Sequence, residues 1–206
     1  MAQKNPSFTV APGFTVDPEH DWHSAEYVDK WITRDLTRPE RVGYMEQMMA
    51  TAKFSRDAEI KVLDVGGGNG LVTEFVLKFF PKSRVTVQDY SQPMLDKARE
   101  RFAMFGDQVS YSRSDLLIPG WEKTAGGPFD LVVSSIAIHN LGNMDAIGAT
   151  YKAIYSVLKS GGQFLDNDHL ANVGGVQLHL DALKAAGFSK AECIREGKPA
   201  IITGLK

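Results

Sequence analysis

The sequence predicts an α/β protein built on a mostly parallel sheet, and three features of the chain carry that prediction. Short apolar stretches of strand length alternate with longer stretches whose apolar residues recur at helical spacing. The first short stretch, 60–65, runs into a glycine-rich turn and then directly into a helical pattern. A later stretch, Phe129–Ser135, is almost entirely apolar, as expected of a central strand covered by helices on both faces.

Composition limits the class of protein. A chain of 206 residues with 43% hydrophobic and 23% charged residues is expected to form one domain with a substantial core. The formal charge of −2 argues against the basic surface that nucleic-acid binding needs. The single cysteine cannot form an internal disulfide, and no stretch approaches membrane-spanning length. We therefore expect a cytoplasmic protein without nucleic-acid or membrane partners.

The first quarter of the chain is predicted to be an arm followed by two helices. Residues 1 to about 23 have no core of their own, Ser24 can cap the first helix, and Thr37 can cap the second. A methionine-rich face on the second helix fits core packing, and a deformable wall over a substrate is the alternative. We assign 1–56 to this arm and helical lid, and 57–206 to the main domain.

The glycine turn is the most informative motif. Asp64 precedes it, and glycines stand at 66, 67, 68 and 70. Such a turn lets the backbone approach a ligand, and the N–H groups at the following helix start form a polar cradle. A dinucleotide-binding fingerprint has the spacing G-x-G-x-x-G, whereas this chain has D-x-G-x-G-x-G. The turn by itself leaves the cofactor open.

Two further acids follow predicted strands. The strand 84–89 ends in Asp89, whose carboxylate could accept both hydroxyl protons of a ribose; a surface acid before a turn is the alternative. A helix over 93–105, with Phe105 turned inward, leads to a third strand, Val109–Arg113, and then to Asp115. Asp115 could bind an adenine amino group or cap a turn.

The second half of the chain completes the sheet. After Phe129–Ser135 come His139 and Asn140, and then a helix over 144–158 that Ser160, Gly161 and Gly162 are expected to close. A fifth strand, 163–166, ends in a polar cluster. A helix over 176–186 and two strands, 189–195 and 199–203, joined by a short turn, end the chain.

From about residue 60 onward, this order of motifs resembles the class I S-adenosylmethionine-dependent methyltransferases of the bacterial small-molecule type. The resemblance implies a Rossmann-like, seven-stranded sheet in the order 3-2-1-4-5-7-6, with the last strand antiparallel and helices on both faces. It also implies S-adenosyl-L-methionine as the cofactor, bound across the carboxyl ends of strands one to four. The cofactor-binding residues it implies are Asp64, Gly66, Gly67, Gly68, Gly70, Asp89, Tyr90, Met94, Ser114, Asp115, Leu116 and Ser134.

Methyl transfer requires an in-line approach and a nucleophile that loses its proton, so a general base is optional. The candidate catalytic bases are His139, at the tip of the fourth strand where the methyl group should point, and His169; a hydrogen-bonded loop histidine is the alternative for both. The expected substrate-binding residues are Tyr27, Trp31, His139, Asn140 and Asp168.

The acceptor is expected to be a small molecule methylated on oxygen or nitrogen. The tip of the fourth strand lacks the Asn-Pro-Pro-Tyr type of sequence found in enzymes that methylate nucleobase amino groups. Asp166 and Asn167 resemble the metal-ligand pair of catechol-type O-methyltransferases, but serines occupy the region of the third ligand, so no metal is expected. Another reaction of the same cofactor and a non-catalytic partner subunit remain alternatives, and the oligomeric state, including a homodimer, is left open.

Overall fold

The computed structural model describes residues 20–35 and 37–206, so most of the predicted N-terminal arm lies outside the described residues. A seven-stranded sheet forms its centre, in the order β3-β2-β1-β4-β5-β7-β6. The strands are β1 Lys61–Val65, β2 Arg84–Asp89, β3 Val109–Arg113, β4 Phe129–Ser135, β5 Leu158–Asp168, β6 Lys190–Arg195 and β7 Ala200–Leu205. The predicted fold class and strand order are confirmed.

Six strands run in the same direction, and β7 runs antiparallel to both of its neighbours, β5 and β6. Parallel strands need crossover connections, and helices supply them here. The helices are α1 Ala25–Asp35, α2 Glu40–Ala50, α3 Leu71–Phe79, α4 Gln92–Arg101, α5 Trp121–Ala125, α6 Met144–Val157 and α7 Gly175–Ala186. The carboxyl ends of β1 to β5 therefore meet at one edge of the sheet.

Each face of the sheet carries its own hydrophobic core. Helices α2, α3 and α4 cover one face, where Met45, Met48 and Met49 are almost fully buried against residues of α3 and β1. The methionine-rich face of α2 is thus core packing. Helices α5, α6 and α7 cover the other face around Tyr151 and Phe164. Burial on both faces explains why β4 is almost entirely apolar.

Three local predictions were wrong. Thr37 does not cap α2: its hydroxyl donates to the Arg34 carbonyl, and Pro39 is the N-cap residue. The predicted stop at Ser160, Gly161 and Gly162 does not end α6, because the backbone is already extended at Leu158. The two glycines instead form backbone hydrogen bonds with Lys206. Phe105 does not point inward; α4 ends at Arg101, and Phe105 is 43% exposed.

Candidate active site

The glycine turn between β1 and α3 is held in one shape by its neighbours. Gly66 N donates to the Gln88 side-chain oxygen at 2.9 Å, and Gly67 N donates to the Gln88 carbonyl at 2.8 Å. Gly66 has φ of 60°, and a Cβ there would lie 2.4 Å from the Cβ of Ala137. A side chain is therefore excluded by both backbone conformation and space. The turn brings bare backbone to the edge of the sheet.

Asp89 stands at the carboxyl end of β2, next to this turn. One carboxylate oxygen accepts from Gly68 N at 2.9 Å, and the other accepts from Ser91 N at 2.8 Å. Burial raises the pKa of Asp89 to about 6, although these backbone hydrogen bonds favour the ionised form. A carboxylate has about four acceptor sites, so each oxygen keeps capacity for one further donor.

A cavity of about 320 Å³ opens at this edge of the sheet, within the usual range for small-molecule sites. Most of the expected cofactor residues line it together. From the end of β1 to α4 these are Gly66, Gly67, Gly68, Asp89, Tyr90 and Met94. The loop after β3 adds Ser114, Asp115 and Leu116. One oxygen of Asp115 accepts from Leu117 N at 2.9 Å, so the acid closes a turn and also faces the cavity.

Three expected cofactor residues lie outside the cavity wall. Asp64 is fully buried and accepts from the backbone N–H and hydroxyl of Thr73, at 3.1 and 2.7 Å. Burial raises its pKa to about 7. Gly70 begins α3 against the ring of Phe102, and the hydroxyl of Ser134 donates to the Val65 carbonyl at 3.0 Å. These residues support the glycine turn without lining the cavity.

His139 forms a tight pair with Asp168 at the tips of β4 and β5. The ring Nδ1 of His139 lies 2.5 Å from one carboxylate oxygen, and its backbone N–H donates to the other at 2.8 Å. Asp168 is fully buried, while the His139 side chain is 14% exposed. With Nδ1 donating to the carboxylate, Nε2 is the basic nitrogen. Asp168 thus positions His139 and fixes its tautomer.

The second histidine candidate lies beside the first. The rings of His139 and His169 meet edge to face with centroids 5.3 Å apart. Burial, followed by the neighbouring His139, lowers the pKa of His169 and favours its neutral form. Neither histidine lines the cavity, nor does Asp168, but Asn140 does.

The helices ahead of β1 form the remaining wall. Trp22 and Trp31 line the cavity and pack edge to face with ring centroids 5.5 Å apart. The Ser91 hydroxyl donates to the Trp22 carbonyl at 2.5 Å, which ties this segment to the start of α4. Tyr27 packs on Trp22 at 5.1 Å but is outside the wall. Of the expected substrate-binding residues, Trp31 and Asn140 reach the cavity.

Several wall residues were absent from the sequence prediction, and Gln88 and Arg41 are the two with the most distinctive polar contacts. Gln88 joins three segments, since its side chain also donates to the Ser114 carbonyl at 2.6 Å. An amide in the alternating strand β2, directly before Asp89, was the available indication. Arg41, in the first turn of α2, is 6% exposed and lines the cavity. Nothing in its local sequence distinguishes it from a surface arginine.

The strand β5 also carries a buried acid without a hydrogen-bond partner among the described residues, Asp166. Burial, followed by the charge of Asp168, holds the pKa of Asp166 well above its usual range, so the neutral acid is favoured. Within residues 20–35 and 37–206, no group of three His, Cys, Asp or Glu side chains is arranged to hold a metal ion. In the same residues, no helix is both long and apolar enough to cross a membrane.

Comparison with known proteins finds a protein family that this chain matches. Residues 62–162 match the methyltransferase domain family. The chain is 34% identical over 93 residues to a release factor glutamine methyltransferase of Chlorobaculum tepidum, covering 44% of this chain and 31% of that protein. It is 41% identical over 78 residues to a malonyl-[acyl-carrier protein] O-methyltransferase of Neorickettsia risticii, covering 38% and 28%. The matched region thus spans less than a third of each relative.

Solved structures share the fold at low sequence identity. A TehB-like SAM-dependent methyltransferase from Corynebacterium glutamicum superposes with a TM-score of 0.68 at 17% identity, covering 88% of this chain and 98% of that one. A structure of PigF with SAH has a TM-score of 0.68 at 17% identity, covering 90% and 60%.

Proposed function

The chain belongs to the class I S-adenosylmethionine-dependent methyltransferases, and we propose that it methylates a small-molecule acceptor on an oxygen or nitrogen atom. The observation that carries the proposal is the cavity at the carboxyl ends of the strands. One part of its wall is the glycine turn with Asp89, and another is formed by Trp31 and Asn140 beside the His139–Asp168 pair. A cofactor site and an acceptor site would then share one enclosed space.

The residues present fit S-adenosyl-L-methionine. When bound, this cofactor supplies an electrophilic methyl group on a sulfonium. Asp89 keeps acceptor capacity on both oxygens, as binding of a ribose diol requires. Gly66 contributes bare backbone to the cavity wall, because a Cβ there would collide with Ala137. Tyr90, Met94 and the Ser114–Leu116 loop would enclose the adenine, while Asp64, Gly70 and Ser134 would hold the turn in place.

His139 is the proposed general base. Its Nε2 would take the proton from an acceptor hydroxyl or amine as that atom attacks, and Asp168 would stabilise the imidazolium that forms. The cavity wall includes Asn140, the next residue in the chain, which would orient the acceptor. Burial lowers the pKa of His169, which disfavours it as a base.

We also propose that the N-terminal segment, 1–56, is a lid over the domain 57–206. The supporting contacts are the Ser91–Trp22 hydrogen bond and an ion pair of 2.9 Å between Lys97 on α4 and Asp29 on α1. Trp22 and Trp31 would exclude water from the reacting atoms. A cavity closed in this way favours a small acceptor over a polypeptide or nucleic acid.

The test combines identification of ligands with one substitution. Native mass spectrometry of the purified protein should find bound S-adenosylmethionine or its demethylated product, together with any retained acceptor. On that acceptor, His139→Ala should lower kcat by about 10²–10⁴-fold with cofactor affinity nearly unchanged.

Asp168→Asn separates positioning from chemistry. It removes the carboxylate that holds Nδ1 but leaves His139 in place, so we expect a smaller loss of kcat and a shifted pH profile. His169→Ala is the matched control and should retain most activity. An unchanged kcat in His139→Ala would refute the role of the base, and absence of cofactor binding would refute the function itself.

A further inference from the structure

Arg41 is a buried cation in the wall of the cavity, and neither cofactor binding nor proton transfer as described above uses it. It stands in the first turn of α2, and its side chain is 7% exposed. Burying a guanidinium is costly unless its charge and its N–H groups are matched by partners. The groups around Arg41 therefore indicate what the cavity is built to bind.

The protein satisfies only part of this side chain. One terminal nitrogen, Nη1, forms an ion pair with Asp35 at the end of α1. Among the described residues, Nε has no hydrogen-bond partner, although it is fully shielded from solvent. A guanidinium presents five N–H donors in a rigid fork that matches a carboxylate. Arg41 lines the cavity with the small exposed part of its side chain, so an oxyanion there would meet guanidinium donors that are not paired with Asp35.

Arg41 lies on the side of the cavity away from Asp89. Residues directly after α2 hydrogen-bond with Gln163 in the middle of β5, so α2 runs back along the sheet and its first turn approaches the carboxyl end of β5. In agreement, the charge of Arg41 is among the smaller causes that lower the pKa of His169, just past that strand. Asp89 ends β2, three strands away, or roughly 14 Å at ordinary strand spacing.

Arg41 lies beside an aromatic ring, and the carboxylate paired with it is that of Asp35. Its guanidinium carbon lies 5.8 Å from the centroid of the Trp31 ring. The nearby carboxylate of Asp168 is already bound to His139 through both oxygens. A ligand placed against Trp31 could therefore bring its own carboxylate to Arg41.

We propose that Arg41 binds a carboxylate of the methyl acceptor, and that the acceptor is an aromatic acid whose ring packs against Trp31. This inference rests on the proposed function, because it assigns the acceptor class of that same cavity. The carboxylate at the amino-acid end of the cofactor is the other source of the same chemistry. The experiment must separate the two.

The first arm measures acceptor binding by quenching of tryptophan fluorescence in protein saturated with S-adenosylhomocysteine. The probes are 4-hydroxybenzoate and its neutral amide, 4-hydroxybenzamide. The wild type should bind the acid at least about tenfold more tightly, as expected for a charge-assisted hydrogen bond. Arg41→Gln should abolish this difference and leave the amide unaffected. Equal affinity for the two probes, or binding of neither, overturns the inference.

The second arm compares S-adenosylhomocysteine with 5′-methylthioadenosine, which lacks the amino-acid carboxylate. Arg41→Gln should leave both affinities unchanged. A loss for S-adenosylhomocysteine alone overturns the inference and assigns Arg41 to the cofactor. Because Asp35 loses its partner in this variant, Arg41→Lys serves as a second variant: it keeps the charge but loses the fork, and should lose most of the preference for the acid.

The matched control is Arg34→Gln, an exposed arginine on α1, which should behave as the wild type. Wild-type protein that binds S-adenosylhomocysteine but shows no effect of Arg41 contradicts this inference alone. Wild-type protein that does not bind S-adenosylhomocysteine contradicts the proposed function.

Discussion

Replacing Asp89 by asparagine tests the proposed cofactor site at its most constrained residue. Each carboxylate oxygen of Asp89 accepts one backbone N–H, from Gly68 at 2.9 Å and from Ser91 at 2.8 Å. An asparagine has only one oxygen, so in either orientation its NH₂ group faces one of these donors. The same NH₂ group would also face a ribose hydroxyl that the aspartate accepts. The substitution therefore removes a ligand contact and loosens the Gly68 backbone.

The magnitude follows from the loss of a hydrogen bond to a charged group. Such bonds contribute about 1.5–3 kcal/mol, so binding of S-adenosylhomocysteine to Asp89→Asn should weaken by roughly 10- to 150-fold. Folding should be retained, since the side chain keeps its size and one acceptor.

The pH dependence provides an independent check. Burial raises the pKa of Asp89 to about 6, and a ribose diol donates to the ionised form. Wild-type affinity should therefore rise about tenfold per pH unit as the pH approaches 6 from below, and level off above it. The asparagine variant should lack this rise. Any dependence that remains near pH 7 would belong to Asp64, whose pKa burial raises to about 7.

Calorimetric titration with S-adenosylhomocysteine between pH 5 and 8 measures both effects. Asp96→Asn is the matched control, because Asp96 is an exposed acid on α4 near the same loop and should bind as the wild type does. If Asp89→Asn binds within twofold of the wild type, or if wild-type affinity does not change with pH, Asp89 does not hold the ribose.

Three further predictions concern stability and closure. Gly70→Ala should lower the free energy of unfolding by about 2–5 kcal/mol, because φ is 85° and the new Cβ would lie 2.2 Å from the Phe102 ring. The control is Gly148→Ala, in open space on α6, which should be neutral or stabilising in the same thermal melts. Tyr151→Phe should cost about 1–3 kcal/mol, seen as a lower Tm, because it leaves the buried Nδ1 of His179 without its 2.7 Å donor; an unchanged Tm would contradict this. Deleting residues 1–36 should leave a folded domain with impaired turnover on the acceptor, and full activity of the truncated protein would exclude the lid.

The sheet was predictable from sequence because each strand carries its own evidence. The range of β4 follows from its mostly apolar composition, and the range of β2 from its alternation and terminal acid. Where prediction failed, longer-range contacts decided the structure. The local sequence around Gly161 and Gly162 predicts a helix stop, but their backbone groups hydrogen-bond with Lys206, which is distant along the chain. No local pattern could show that pairing.

The residues of the candidate site also differ in whether the sequence alone could identify them. Gly66–Gly68 and Asp89 could be chosen from sequence because spacing places them at neighbouring strand tips. The partner of His139 could not be assigned, since Asp168 follows a different strand and reaches the histidine only through the β4–β5 pairing. Arg41 was missed because burial, rather than its neighbours in the chain, makes it unusual.

Ile136, directly after β4, has φ of 51° and is the one non-glycine residue with positive φ in the described chain. Its N–H donates to the Asn167 carbonyl at 3.0 Å. A β-branched residue in this conformation stores about 1–2 kcal/mol. The turn it forms sets Ala137 against Gly66 and leads into His139 and Asn140. Selection for stability alone would favour glycine at this position, and selection for a rigid site would oppose it. Attempts to make this protein more heat-resistant should therefore leave Ile136 unchanged and seek their gains on the far side of the sheet.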